Sequence, residues 1–166
     1  MMKSIQKASG SSSSMSSQRL ARILIVEDDD LSLDIATRWL RRQGYANVEG
    51  AVDGATGLES CLHDPPDILI LDHSLPIVSG LAIAEHLCIT YKREERPWIV
   101  LFTAAADGTI QRLNETGYFD DTLRKPCISQ DYMDCLERAH AGLQQRRRPV
   151  DSAWLAAAVG TLRLVR

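Results

Sequence analysis

Long apolar runs are missing from this chain of 166 residues. None reaches the roughly 18 residues that a membrane-spanning helix requires, so an integral helical membrane protein is excluded. Ser9 to Ser17 is polar where a secretory signal would carry its apolar segment, so no such signal is expected. Paired cysteines are missing too. Cys61, Cys88, Cys127 and Cys135 are scattered with no C-x-x-C, and His63, His73, His86 and His140 do not supply zinc-ligand spacing. Free thiols in a reducing cytoplasm are the expectation, with disulfides as the alternative. Charge of one sign is also lacking. Nineteen Lys and Arg stand against 22 Asp and Glu, a net charge of −3, which points to no nucleic-acid partner. No internal repeat is visible. What remains, 45% apolar and 25% charged residues, is the composition of a globular protein with core enough to fold without a staple.

The net charge conceals a division. Residues 27–145 hold 10 basic and 21 acidic residues, net −11, while residues 1–26 and 146–166 each carry +4. Residues 1–20 form a leader with eight serines and no acidic residue, expected to lack regular structure. Residues 21–146 carry the pattern of a folded domain, and 147–166 form a basic, amphipathic tail. Arg146, Arg147 and Arg148 read as a charge cluster at a helix end. Beyond Pro149, Asp151 can cap a short C-terminal helix with Trp154, Leu155, Ala158, Val159, Leu162 and Val165 on one face. Such a helix is too short to stand alone in water, so it is expected to dock on its own domain, a second copy or a partner.

Within 21–146, strand and helix patterns alternate. Ile23 to Val26 is a β-branched run ending at four acids, a strand buried on both faces. Leu31 to Gln43 has helical spacing at Leu33, Ile35, Ala36, Trp39 and Leu40, closed by Gly44. Asn47 to Val52 is a weaker strand, and Asp53 caps a helix to about His63, where Pro65 and Pro66 stop it. Asp67 to Asp72 is a second buried strand, followed by a helix over Ser79 to Thr90. Pro97 to Phe102 is a third, ending at Thr103; a short helix follows over 107–116, closed by Gly117. A weak strand over Asp120 to Arg124 leads to Lys125-Pro126, and Ser129 is placed to cap a last helix through about Gln145. Five alternations with short connections imply an α/β fold: a doubly wound, five-stranded parallel sheet with five helices on its two faces.

Ligands bind such sheets at the carboxyl ends of the strands. Those ends carry Glu27 and Asp28, then Asp72, Thr103 and Lys125. Clustered carboxylates repel unless a cation neutralises them, and hard oxygen ligands favour magnesium, which retains waters and recruits phosphate. A carboxylate beside such a metal is a plausible phosphoryl acceptor. Lys125 and Thr103 offer the charge and the donor that transferring oxygens need.

Ile23-Leu24-Ile25-Val26-Glu27-Asp28-Asp29, Leu71-Asp72-His73-Ser74-Leu75-Pro76 with Gly80, Leu101-Phe102-Thr103-Ala104, and Lys125-Pro126 together resemble the receiver domain of bacterial two-component response regulators. The resemblance covers about residues 22–145. It implies a CheY-like, flavodoxin-like fold, Asp72 as the phosphorylation site, and a sensor histidine kinase or histidine phosphotransfer protein as donor. Asp28 corresponds to the direct Mg2+ ligand, Glu27 to an acid acting through a metal-bound water, and the Ser74 backbone carbonyl to a further ligand. Thr103 would bond a phosphoryl oxygen after transfer, and Ala104 would leave it room. Lys125 would pair with the phosphoryl group, aimed by a cis bond before Pro126. Ala105 cannot orient an attacking water, which implies slow self-dephosphorylation. Two positions depart from the family. Thr122 stands where the switch aromatic is usual, with Tyr118 and Phe119 the nearest aromatics, and Cys127 replaces a common phenylalanine.

Single residues also admit plainer readings. Asp72 could cap a helix, Thr103 a loop, and Glu27 and Asp28 could be a solvated loop; only their combination favours the site. Asp29 and Asp30 read as helix N-terminal charges, His73 as a side chain on the rim, and Trp39, Trp98 and the cysteines as packing. The leading expectation is a stand-alone cytoplasmic receiver that catalyses only its own phosphorylation and dephosphorylation. It would signal to a downstream protein, with a homodimer possible and no direct nucleic-acid contact, since the tail has no room for a helix-turn-helix unit. The competing readings are a magnesium-dependent phosphohydrolase with an aspartyl nucleophile, and a degenerate receiver acting as a scaffold. The first usually carries a second aspartate where this chain has Ser74.

Overall fold

The computed structural model describes residues 19–147. The Ser-rich leader, apart from Arg19 and Leu20, and the tail beyond Arg147 lie outside them, as does the expected C-terminal helix. The elements run β1 (Ile23–Val26), α1 (Asp30–Arg42), β2 (Val48–Ala51), α2 (Gly54–His63), β3 (Ile68–Asp72), α3 (Gly80–Thr90), β4 (Trp98–Thr103), α4 (Asp107–Glu115), β5 (Asp121–Arg124) and α5 (Ser129–Arg147). The five strands form one parallel sheet in the order β2-β1-β3-β4-β5. The expected α/β doubly wound architecture is therefore the observed one.

Side chains alternate across a strand, and here each alternation serves a separate core. Ile23, Ile25, Ile68, Ile70, Val100 and Phe102 join Leu33, Ala36 and Leu40 of α1 and Tyr132, Leu136, Ala139 and Leu143 of α5. Leu24, Val26, Leu69, Leu71, Ile99 and Leu101 join Cys61 of α2, Ile83, Ala84 and Leu87 of α3, and Ile110 and Leu113 of α4. The central strands are thus apolar at nearly every position because both of their faces are covered. Each fully buried aliphatic side chain contributes about 1.5–3 kcal/mol relative to exposure.

The helix starts follow from short polar side chains. Asp29 accepts from the Ser32 backbone N–H at 2.7 Å, and Asp53 from that of Thr56 at 2.8 Å. Ser79 accepts from the Ala82 N–H at 3.3 Å. Each satisfies a donor that the first helical turn leaves unpaired.

Three local expectations are corrected. Ser129 is the first residue of α5, not its cap; the Asp131 carboxylate reaches back to accept the Ile128 N–H at 2.7 Å. Ile35, one of the apolar residues at helical spacing in α1, is 58% exposed, because the buried stripe runs through Leu33, Ala36 and Leu40. Arg146 is not a solvated helix-end charge. It is buried against Asp120, with its guanidinium carbon 4.5 Å from the centre of the Trp98 ring. Arg147 pairs with Asp67 at 2.7 Å. Trp98, the expected packing residue, lies against α5 so closely that a Cβ added at Gly142 would fall 1.9 Å from the indole.

Candidate phosphoryl-acceptor and cation site

The site sits at the carboxyl edge of the sheet, where β1 and β3 lie side by side in register, Val26 opposite Leu71. The next residue of β1's chain is Glu27, 2% exposed, and the last of β3 is Asp72, 5% exposed. Asp28, the next along, is exposed. Carboxylate oxygens of Glu27, Asp28 and Asp72 all lie within 4.8 Å of one another. Parallel pairing brings these three acids together from positions 45 residues apart, which sequence periodicity alone does not convey.

Lys125, just past β5, reaches across to close the group. Its Nζ donates to Glu27 Oε2 at 2.5 Å and to Asp72 Oδ2 at 2.7 Å, and it stands 4.4 Å from the centre of the Phe102 ring. Burial works to lower the Lys125 pKa, but the hydrogen bonds to Asp72 and Glu27 more than reverse this. The ammonium is held above its ordinary value and stays charged. One cation against three carboxylates leaves the cluster two charges negative. That surplus, in a set of hard oxygen donors, fits a divalent ion of the magnesium class. The peptide bond between Lys125 and Pro126 is cis.

Asp72 is held from its own loop as well. Its Oδ1 accepts the Ser74 N–H at 2.8 Å. Gly80, which opens α3, packs so tightly behind the acceptor that a Cβ there would lie 2.1 Å from the Asp72 carbonyl oxygen. Glu27 Oε1 accepts the Asp29 N–H at 3.3 Å. Asp29, held below the usual carboxylate range by its hydrogen bonds from Ser32, belongs to the α1 cap and not to the cluster.

Thr103 ends β4 fully buried, and its hydroxyl accepts the Ala105 N–H at 3.0 Å. Ser74, Ala104 and Pro126 are exposed at the mouth, and Ala105 is half-buried. His73 departs from expectation. Its ring does not stand on the rim: Nδ1 lies 2.8 Å from Thr103 Oγ1 and 3.8 Å from Asp72 Oδ1. No sequence spacing signals this contact, since residues 73 and 103 meet only through the pairing of β3 with β4.

The expected place of a switch aromatic is also resolved in space. Thr122 donates its hydroxyl to Asn114 Oδ1 of α4 at 3.1 Å. Phe119 is buried in the core beneath α3 and α4, and the Tyr118 hydroxyl donates to Glu85 of α3 at 3.0 Å. Neither aromatic occupies the Thr122 position.

A family model described as the response regulator receiver domain matches residues 23–137. The chain belongs to that family, the receiver domain of two-component signalling. Among curated relatives it is 36% identical to the transcriptional regulatory protein CseB of Streptomyces coelicolor, over 63% of this chain and 42% of that protein. It is 35% identical to the response regulator MprA of Mycobacterium bovis, over 80% of this chain and 54% of that one. It is also 35% identical to the aerobic respiration control sensor protein ArcB of Escherichia coli, over 63% of this chain and 13% of that one. The chain thus spans about half or less of the length of these relatives. Among solved structures, a CheY-like receiver domain from Methanospirillum hungatei superposes with a TM-score of 0.68 at 23% identity, covering 76% of this chain and 98% of that one. The receiver domain of the sensor histidine kinase PA1611 from Pseudomonas aeruginosa gives 0.65 at 24% identity, covering 74% and 98%, and was determined with a magnesium ion in its active site cleft. Both show the shared fold.

Proposed function

We propose that Asp72 accepts a phosphoryl group from a phosphohistidine on a sensor kinase or histidine phosphotransfer protein, in the cytoplasm. The observation that carries this reading is the Lys125 ammonium bonded at once to Glu27 and Asp72, with Asp28 alongside. In the transfer, the P–N bond to the donor imidazole breaks as a P–O bond to the Asp72 carboxylate forms. The imidazole leaves with the electron pair and regains a proton. Glu27, Asp28, Asp72 and the Ser74 carbonyl would hold Mg2+, which when bound supplies positive charge to the transferring oxygens. Lys125 shifts its pairing toward the phosphoryl group, Thr103 donates its hydroxyl to a phosphoryl oxygen, and exposed Ala104 leaves the space open. Half-buried Ala105 has no group to orient water, which lengthens the life of the phosphoaspartate.

The mouth also suits a protein donor. Leu31 in the first turn of α1, Ile77 on the loop after β3 and Ile128 between β5 and α5 are large apolar side chains, each at least 67% exposed. An apolar rim around a charged pocket is the makeup of a protein docking surface. No helix among the described residues is long and apolar enough to cross a membrane. The output passes to a downstream protein, and the chain catalyses only reactions at its own Asp72.

Incubation with Mg2+ and acetyl phosphate, read by intact mass, tests the reading. A single adduct of about 80 Da, the mass of one phosphoryl group, that Asp72→Asn abolishes is expected. Steady turnover of small phosphate esters would show a phosphohydrolase instead, and no adduct at all would show a scaffold.

A further inference from the structure

The described fold leaves one side chain in the site without a role: His73. Its neighbours define what it can do. Thr103 Oγ1 already accepts the Ala105 N–H at 3.0 Å. Thr103 Oγ1 lies 2.8 Å from His73 Nδ1, and where that nitrogen carries no hydrogen the threonine hydroxyl donates to it. The Ser74 hydroxyl stands 3.2 Å from both His73 Nδ1 and Nε2 and favours neither tautomer. The ring is only partly exposed, and its backbone is tied on both sides. The His73 N–H donates to the Phe102 carbonyl at 3.3 Å, and its carbonyl accepts the Gly80 N–H at 3.4 Å.

A hydroxyl has one hydrogen. While His73 accepts it, Thr103 cannot donate it to anything else. We propose that His73 is a positioning residue whose Nδ1 accepts the Thr103 hydroxyl hydrogen in the unphosphorylated arrangement, so that a phosphoryl group on Asp72 has to displace the imidazole to gain that donor. The inference rests on the phosphoryl-acceptor reading of Asp72 and adds a regulatory element to it. Through Thr103, His73 sets how readily the site adopts its phosphorylated form. It acts by occupying a hydrogen bond, and needs neither proton uptake nor contact with a cation. The geometry also defines its mimic. An asparagine at position 73 places a side-chain acceptor near the location of imidazole Nδ1, whereas a leucine keeps comparable bulk and offers none.

The test measures the affinity of the full chain for beryllium fluoride in the presence of magnesium, by calorimetric titration, as a stand-in for the phosphoryl group. His73→Leu is expected to bind more tightly than wild type by on the order of three- to tenfold, the range one net hydrogen bond spans. His73→Asn is expected to bind as wild type does. In a Thr103→Val background, His73→Leu is expected to change nothing, because the partner it releases is gone. Equal or weaker binding by His73→Leu overturns the proposal. So does a His73→Asn that behaves like the leucine, or an effect that survives in Thr103→Val. If wild type binds no beryllium fluoride and takes no adduct from acetyl phosphate, the acceptor reading falls and this inference with it. If wild type does both and the His73 variants match it, this inference alone falls.

Discussion

At the scale of single residues, the loop after Asp72 carries a cost that no contact explains. Ile77 has φ +66°, the left-handed region that β-branched side chains avoid, and it is 96% exposed. The turn is closed by the Val78 N–H, which donates to the Pro76 carbonyl at 2.7 Å across Ile77. Left-handed backbone costs an L-residue about 1–2 kcal/mol. Almost nothing of the isoleucine is buried to offset that. Ile77→Gly is therefore expected to raise the unfolding free energy by about 1 kcal/mol, measured by urea denaturation, even after the added freedom of the unfolded chain is counted. A lower stability would mean that the isoleucine makes contacts worth more than the strain. An exposed, strained apolar residue beside an acceptor carboxylate is also what a docking loop would retain, so the same variant should slow transfer from a protein donor more than from acetyl phosphate.

At the scale of elements, the two edges of the sheet are built differently. The carboxyl edge gathers three acids against one cation. The amino edge is stapled. Arg96 holds Asp120 with two hydrogen bonds of 2.9 Å, Asp120 also accepts the Ile99 N–H at 2.9 Å, and Arg146 of α5 closes on the same carboxylate. The side chains of Arg96, Asp120 and Arg146 are 4%, 5% and 7% exposed. Asp120→Asn would leave two guanidiniums without their shared anion, and breaking a buried pair in this way costs about 3–5 kcal/mol. Urea unfolding should show a loss in that range, whereas Asp34→Asn, which removes the exposed pair with Arg38, should cost less than about 1 kcal/mol. A loss below about 1 kcal/mol for Asp120→Asn would mean that the staple is solvated. This contrast also marks what the sequence made legible. The runs Ile23–Val26, Ile68–Leu71 and Ile99–Leu101 announced buried strands because local hydrophobicity reports burial directly. Asp53 and Ser79 announced helix starts because capping is a contact over three residues. Arg146 read as a surface charge and His73 as a rim residue, since their partners Asp120 and Thr103 lie 26 and 30 residues away across paired strands. Glu27, Asp28, Asp72 and Lys125 were legible despite larger separations, because parallel strands deliver all their ends to one edge whatever the details of packing.

At the scale of the whole molecule, the core under α1 and α5 contains a group that links global stability to pH. His140 of α5 is 6% exposed and lies flat against Tyr45, ring centres 6.0 Å apart and planes within 4°. Its Nε2 has no hydrogen-bond partner among the described residues. Burial lowers the His140 pKa below its ordinary 6.5, with Asp67 pulling weakly the other way. The folded chain therefore resists a proton that the unfolded chain accepts. Well above pH 6.5 both states are neutral at this residue, which there contributes no pH dependence to stability. Below that value the unfolded state binds the extra proton, so stability falls as pH drops toward the folded pKa and levels off beneath it. The slope from this residue is at most about 1.4 kcal/mol per pH unit. His140→Phe keeps a flat ring against Tyr45 and removes the titration. Urea unfolding at pH 7.5 and 5.5 should therefore show a larger loss on acidification for wild type than for the variant. The carboxylates that also titrate in this interval are common to both proteins and cancel in the comparison. Equal losses would mean that the imidazole is hydrated in the folded chain. The same scan in the presence of Mg2+ separates the two ends of the molecule. An ion held by the proposed site of Glu27, Asp28 and Asp72 would add stability to wild type and His140→Phe alike. The His140 difference should survive unchanged, because it originates in the packing of α5 and not in the acidic edge.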